Sequence, residues 1–234
     1  MLLAACLGAL ASACAPDPAQ REYLAALKGE ESGMTREQQI AHLDRAIALA
    51  PRRPEYHETR AIYRIDLQQW APARADLDAD IRLADRPYAR YLRGLVACEV
   101  GLFQAAIADF DTAIAGDSKN AQFYRGRALA KATAGDASGA LRDADRLLAL
   151  APAMAESHYA RGVALLALGR DREAVPEFDA ALRIRPELAY VFEARALAHE
   201  RLDQAELAAA DHAAFVAATE KQRNCAPCRD PYRY

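Results

Sequence analysis

The chain has 234 residues, enough for one large domain or two small ones. Hydrophobic residues make up 53% and charged residues 27%, a balance that excludes intrinsic disorder. The formal net charge is −3, with acids and bases interleaved, so there is no basic stripe for nucleic acid and no electrostatic reason to bind anionic lipid.

Residues 1–13, MLLAACLGALASA, carry no charge and have the length of a signal-peptide core. The run is too short to span a bilayer. Ala11-Ser12-Ala13 supplies the small-x-small cleavage pattern, and Cys14-Ala15-Pro16-Asp17-Pro18 turns abruptly polar. A Cys at the cut resembles a bacterial lipoprotein signal, in which the new N-terminal Cys is lipidated. Leu3-Ala4-Ala5-Cys6 is the closer textual match to the lipidation box, but it would leave apolar LGALASA on the mature chain. Cys14 is therefore the expected lipidation site, and the protein is expected to be exported, as a periplasmic or membrane-anchored lipoprotein.

Residues 14–34 read as an N-terminal linker or partial first helix. Thr35-Arg36-Glu37-Gln38 then supplies a capping box that opens a helical array over 35–222. Ala, Leu, Arg and Glu dominate the chain, while Gly and Pro number only 11 each, so the array is expected to be almost all helical. An Arg followed by a small residue recurs as Arg60-Ala61, Arg93-Gly94, Arg127-Ala128, Arg161-Gly162 and Arg195-Ala196, at spacings of 33, 34, 34 and 34. Twelve residues after each small residue lies Ala73, Ala106, Ala140, Ala174 or Ala208. Gly101, Gly135 and Gly169 fall where a turn between helices belongs, and Pro51, Pro152 and Pro186 close units. The period divides the array into a partial unit 35–53 and units 54–86, 87–120, 121–154, 155–188 and 189–222.

Unit 155–188 resembles a tetratricopeptide repeat. That family wants small residues at unit positions 8, 20 and 27, a large one at 24 and Pro at 32, which here are Gly162, Ala174, Ala181, Phe178 and Pro186. The resemblance, to exported bacterial lipoproteins of this repeat family in particular, implies an all-α superhelical array of antiparallel helix hairpins, a right-handed solenoid. One hairpin cannot bury its apolar face alone, so neighbours stack. Asp136 and Asp171 stand where second helices begin, as N-caps. Pro176, inside a second helix, is a misfit.

The recurring Arg is matched by two acids. Asp76, Asp109, Asp143, Glu177 and Asp211 lie sixteen residues after it, and Asp44, Asp78, Asp111, Asp145 and Asp179 lie fifteen or sixteen before it. Each guanidinium is expected to bridge an acid of its own hairpin and one of the preceding hairpin, a packing and register device. The partial unit lacks the Arg and has His42 in place of the first acid, and Ala213 replaces the second acid in the last unit.

No phosphate loop, dinucleotide fingerprint, nucleophile elbow or zinc-protease motif is present, so no catalytic residue, metal site or cofactor is assigned and the chain is read as a non-enzyme. The five His are scattered within the repeats and read as structural. Cys98 reads as an inert thiol. The tail, 223–234, holds Cys225 and Cys228, read as a local disulfide, with free thiols or metal and redox work as alternatives.

The resemblance implies a concave groove lined by unit positions 2, 5, 9 and 12 of first helices. These give Tyr88, Tyr91, Leu95 and Cys98; Arg125 and Leu129; Tyr159, Val163 and Leu166; and Tyr190, Glu193 and Leu197. Glu58 and Ile62 occupy the positions where relatives that hold a C-terminal carboxylate carry Lys and Asn, which disfavours that ligand. The expected function is a protein–protein adaptor of the bacterial cell envelope, binding a peptide or helix of a partner. The alternative is an accessory subunit of an envelope enzyme or transport system, with thiol or metal chemistry at the Cys tail.

Overall fold

The computed structural model describes residues 17–224, which hold twelve α-helices and no strand. The signal segment with Cys14, and the Cys225/Cys228 pair, lie outside the described residues. The chain divides between Val96 and Ala97 into two compact units.

The first unit contains α1 (Pro18–Leu27), α2 (Arg36–Leu49), α3 (Pro54–Asp66), α4 (Trp70–Leu83) and most of α5 (Pro87–Glu99). α1 and α2 pack as a hairpin, as do α3 and α4. The stretch read as a linker or partial first helix therefore holds a ten-residue helix, against thirteen residues in α3. Asp17 caps α1 by accepting from the Gln20 amide at 2.9 Å. The capping box forms: Thr35 accepts from the Gln38 amide, and the Gln38 side chain accepts from the Thr35 amide at 2.9 Å. It opens α2, the second helix of its hairpin. Leu43, Ala26 and Tyr63 form one core cluster, and Tyr56, Ala19 and Ala46 another.

The second unit contains the end of α5, then α6 (Phe103–Gly116), α7 (Ala121–Thr133), α8 (Ala137–Leu150), α9 (Ala155–Ala167), α10 (Asp171–Ile184), α11 (Ala189–Arg201) and α12 (Ala205–Asn224). α7 pairs with α8, α9 with α10, and α11 with α12. Gly101, Gly135 and Gly169 have φ of +76°, +90° and +69°, the left-handed turn that glycine adopts without a Cβ penalty. The same turn in the other two units is made by Gln68 (φ +57°) and Asp203 (φ +58°).

The recurring small residues are where helices approach. Ala73, Ala106, Ala140 and Ala174 are fully buried, as are Leu77, Phe110 and Phe178. A Cβ on Gly162 would sit 2.5 Å from the Phe178 ring, which explains why the glycine is there. Asp136 caps α8, accepting from the Gly139 amide at 2.9 Å. Asp171 does not cap α10: Arg170 holds that place, and Asp171 is the first helical residue, where its charge still favours the helix dipole. Pro176 lies inside α10, which runs through it from Asp171 to Ile184.

The arginine ladder forms. Arg60 donates to Asp76 and, at 2.7 Å, to Asp44. Arg93 donates to Asp78 at 2.8 Å. In the second unit, Arg127 holds Asp143 at 2.6 and 2.8 Å and Asp111 at 2.6 Å. Arg161 bridges Glu177 and Asp145, and Arg195 bridges Asp211 and Asp179. Four of the own-hairpin acids also meet a second basic side chain: Arg64 at Asp76, Lys131 at Asp143, and the imidazoles of His158 at Glu177 and His199 at Asp211. In the first hairpin the polarity is reversed. Glu22 on α1 faces His42 and Arg45 on α2, at 2.7 and 2.8 Å.

Candidate functional site

In the second unit the first helices of successive hairpins touch, α7 against α9 and α9 against α11, whereas α8 and α10 do not pack on each other. The first helices of the second unit therefore follow one another along one side of it. Side chains one or two turns apart along α11 lie on one stripe. Tyr190, Glu193, Leu197 and Glu200 make such a stripe, and Tyr159 of α9 meets it.

The Tyr159 and Tyr190 rings pack edge to face, with centroids 4.7 Å apart and planes at 71°. Tyr159 also rests on Phe178, at 6.2 Å. Burial, with the Glu193 carboxylate nearby, pushes the Tyr159 phenol up to about 12. Val163 and Leu129 are half-buried beside these rings' helices, and Leu197 is 40% exposed. Glu193 is exposed, and among the described residues no cation pairs with it. Glu200 is met by His212 at 2.9 Å, and buried Glu156 by Arg185 at 2.7 Å.

Three of the expected groove residues are core residues instead. Leu166 is buried in a cluster with Val191 and Ala198 of α11, because position 12 of a first helix points into the seam with the next one. Arg125 and Tyr91 are only 5% and 6% exposed. In the first unit, considered by itself, Tyr88 is 45% exposed with its ring 5.9 Å from that of Tyr91, and Leu95 is half-buried. Cys98 is half-buried, and burial pushes its thiol up to about 11, which keeps it protonated and unreactive.

Sequence reasoning missed a buried charge group in the first unit. Arg86 donates to Asp80 at 2.8 and 3.0 Å and lies 3.0 Å from Glu58. Burial pushes both carboxyls above their usual range, against the pull of Arg86. Arg86 and its counterpart near the end of unit 155–188, Arg185, both reach back to an acid on the first helix of their own hairpin. That reach across more than twenty residues is invisible to a helical-period reading.

Residues 155–188 match the family model of the tetratricopeptide repeat. A tetratricopeptide repeat protein from Parabacteroides merdae superposes with a TM-score of 0.73 at 16% identity, over 87% of this chain and 80% of that one. Residues 155–188 are thus a tetratricopeptide repeat, and the described chain has the fold of an array of such repeats. The MamA protein aligns with a TM-score of 0.63 at 20% identity, over 74% of this chain and 94% of that one. YrrB, described as a tetratricopeptide-repeat protein with an unusual peptide-binding site, aligns with a TM-score of 0.61 at 16% identity, over 74% of this chain and 90% of that one. No curated protein matches the chain in sequence. The first helices α9 and α11 together carry a patch of tyrosine, aliphatic carbon and carboxylate. None of the described helices is long and apolar enough to cross a membrane.

Proposed function

We propose that this protein is a non-enzymatic adaptor that holds a peptide or helix of a partner protein against the first-helix face of its second unit. Tetratricopeptide-repeat proteins are scaffolds for protein interaction, and the observation that carries the reading here is the Tyr159–Tyr190 pair beside exposed Leu197. Tyrosine offers large contact area at low entropic cost, and exposed apolar side chains near it are suited to exclude water around it. Glu58 in the first unit argues against capture of a free carboxylate, since among the described residues its own charge is met by Arg86 alone, which Asp80 shares.

The adaptor works in the bacterial cell envelope, exported by the segment 1–13 and tethered through lipid on Cys14; the apolar run and the Ala-Ser-Ala-Cys junction support this. Crosslinking pull-down from envelope extract tests the binding face: Leu197→Ser, at an exposed position, should lose the partner while melting as the parent does. Retention of the partner by that variant overturns the reading. Mass spectrometry of the native protein tests the address, with a chain starting at Cys14 expected and an intact Met1 start contradicting it.

A further inference from the structure

We infer that the segment held on this face is basic and apolar in alternation, and that a Lys or Arg side chain of the partner seats on exposed Glu193, next to the half-buried Tyr190 ring. The inference rests on the adaptor reading and adds the chemistry of the ligand. Along α11 the stripe runs from half-buried Tyr190 to exposed Glu193, Leu197 and Glu200: aromatic, acidic, apolar, acidic. Each of the two acids stands three residues from an aromatic or apolar neighbour, so on the helix surface charge and apolar contact alternate.

Of the carboxylates on this face, Glu156 is buried and neutralised by Arg185, and Glu200 faces the imidazole of His212. Glu193 alone among them meets no basic side chain in the described residues. A carboxylate left in that state beside two aromatic rings is a place where an incoming cation gains twice. It pairs with the acid, and the half-buried Tyr190 ring next to it attracts it through its quadrupole. An anionic peptide would meet the opposite on both counts. A purely apolar segment would use Leu197 and the rings but leave Glu193 to be desolvated without a partner.

The test uses the full chain and three short fluorescein-labelled peptides of alternating Leu and Arg, Leu and Ser, or Leu and Glu, titrated by fluorescence anisotropy. The Leu/Arg peptide should bind about tenfold tighter than the Leu/Ser peptide, a difference of one decade in Kd. The Leu/Glu peptide should bind weakest. Glu193→Gln should erase most of the preference for Arg while leaving the Leu/Ser affinity as it was, and Glu193 is exposed enough for that variant to fold. Equal affinity for the Arg and Ser peptides, with both weakened by Tyr190→Ala, overturns the basic ligand and leaves the adaptor reading standing. Tight Leu/Arg binding that neither Glu193→Gln nor Tyr190→Ala changes overturns both, since the peptide is then bound elsewhere. Failure of all three peptides to bind overturns the basic ligand, and the partner pull-down then decides the adaptor reading separately.

Discussion

Replacing Arg127 by Met separates the ladder from the binding face. Arg127 makes three short hydrogen bonds, two to Asp143 and one to Asp111. Asp111 is exposed, so that arm contributes at most about 1 kcal/mol. Asp143 is buried, and breaking a buried pair costs ~3–5 kcal/mol when the remaining charge is stranded. Here Lys131 still reaches Asp143 at 2.9 Å, which lowers the expected cost to about 2–3 kcal/mol. For a chain of this size that corresponds to a fall in Tm of roughly 4–12 °C. The diagnostic step is the second mutation. Arg127→Met with Asp143→Leu removes the orphaned carboxylate and should recover most of the loss, because replacing both partners of a buried pair by apolar groups is close to neutral. Thermal melts by circular dichroism on the two singles and the double give the coupling directly. A wild-type melt for Arg127→Met, or losses that simply add in the double, would refute the claim that the ladder holds hairpins together. Binding of the partner should be unchanged in every one of these variants that remains folded.

Gly162→Leu should cost ~1–3 kcal/mol or more by forcing the Phe178 ring out of its place; an unchanged melting temperature refutes the close approach. Gln68→Gly should stabilise the first unit by roughly 0.5 kcal/mol, the relief of a left-handed non-glycine less the entropy glycine loses on folding, and a drop in chemical-denaturation midpoint would contradict this. Glu58 has its carboxyl raised by burial in the folded state, so the stability it allows is fully present at low pH and is lost as pH rises through the raised value. Glu58→Gln should therefore be more stable than the parent at neutral pH, with the gap closing on acidification; a variant less stable at neutral pH shows that Arg86 outweighs burial there. Tyr88→Ala should leave the melt nearly unchanged, whereas Tyr91→Ala, a loss from the core, should lower it clearly; equal melts would contradict the burial assigned to the two rings.

The architecture was legible because its causes are periodic. Small residues at Ala61, Ala73 and Gly162, and a large one at Phe178, recur at a spacing only a helical hairpin array uses, and the ladder repeats with them. The site was legible in part. Unit positions name the face of a first helix, but they do not say how deeply the next helix covers it. Tyr91, Arg125 and Leu166 share positions with exposed or half-exposed residues in other units, yet they are buried where neighbouring packing closes over them. Most of the second basic side chains at the ladder acids could have been read from the sequence. Arg64, Lys131 and His199 each stand four residues after a ladder Arg, one turn on and on the same side. Arg185–Glu156 could not, since Arg185 reaches from beyond the end of α10. Asp171 was misplaced by one residue as a cap because the shift of a helix start by one position leaves the apolar period unchanged.

Site-specific photo-crosslinking tests the adaptor reading most directly. A photoreactive phenylalanine analogue placed at Leu197, on the first-helix face, and in a separate protein at Ile184, at the exposed end of second helix α10, samples two surfaces of the same unit with similar exposure. The account predicts a discrete adduct from position 197, suppressed by excess Leu/Arg peptide, and none from position 184. An adduct from position 184 with none from position 197 would contradict it, and would move the binding surface to the second helices.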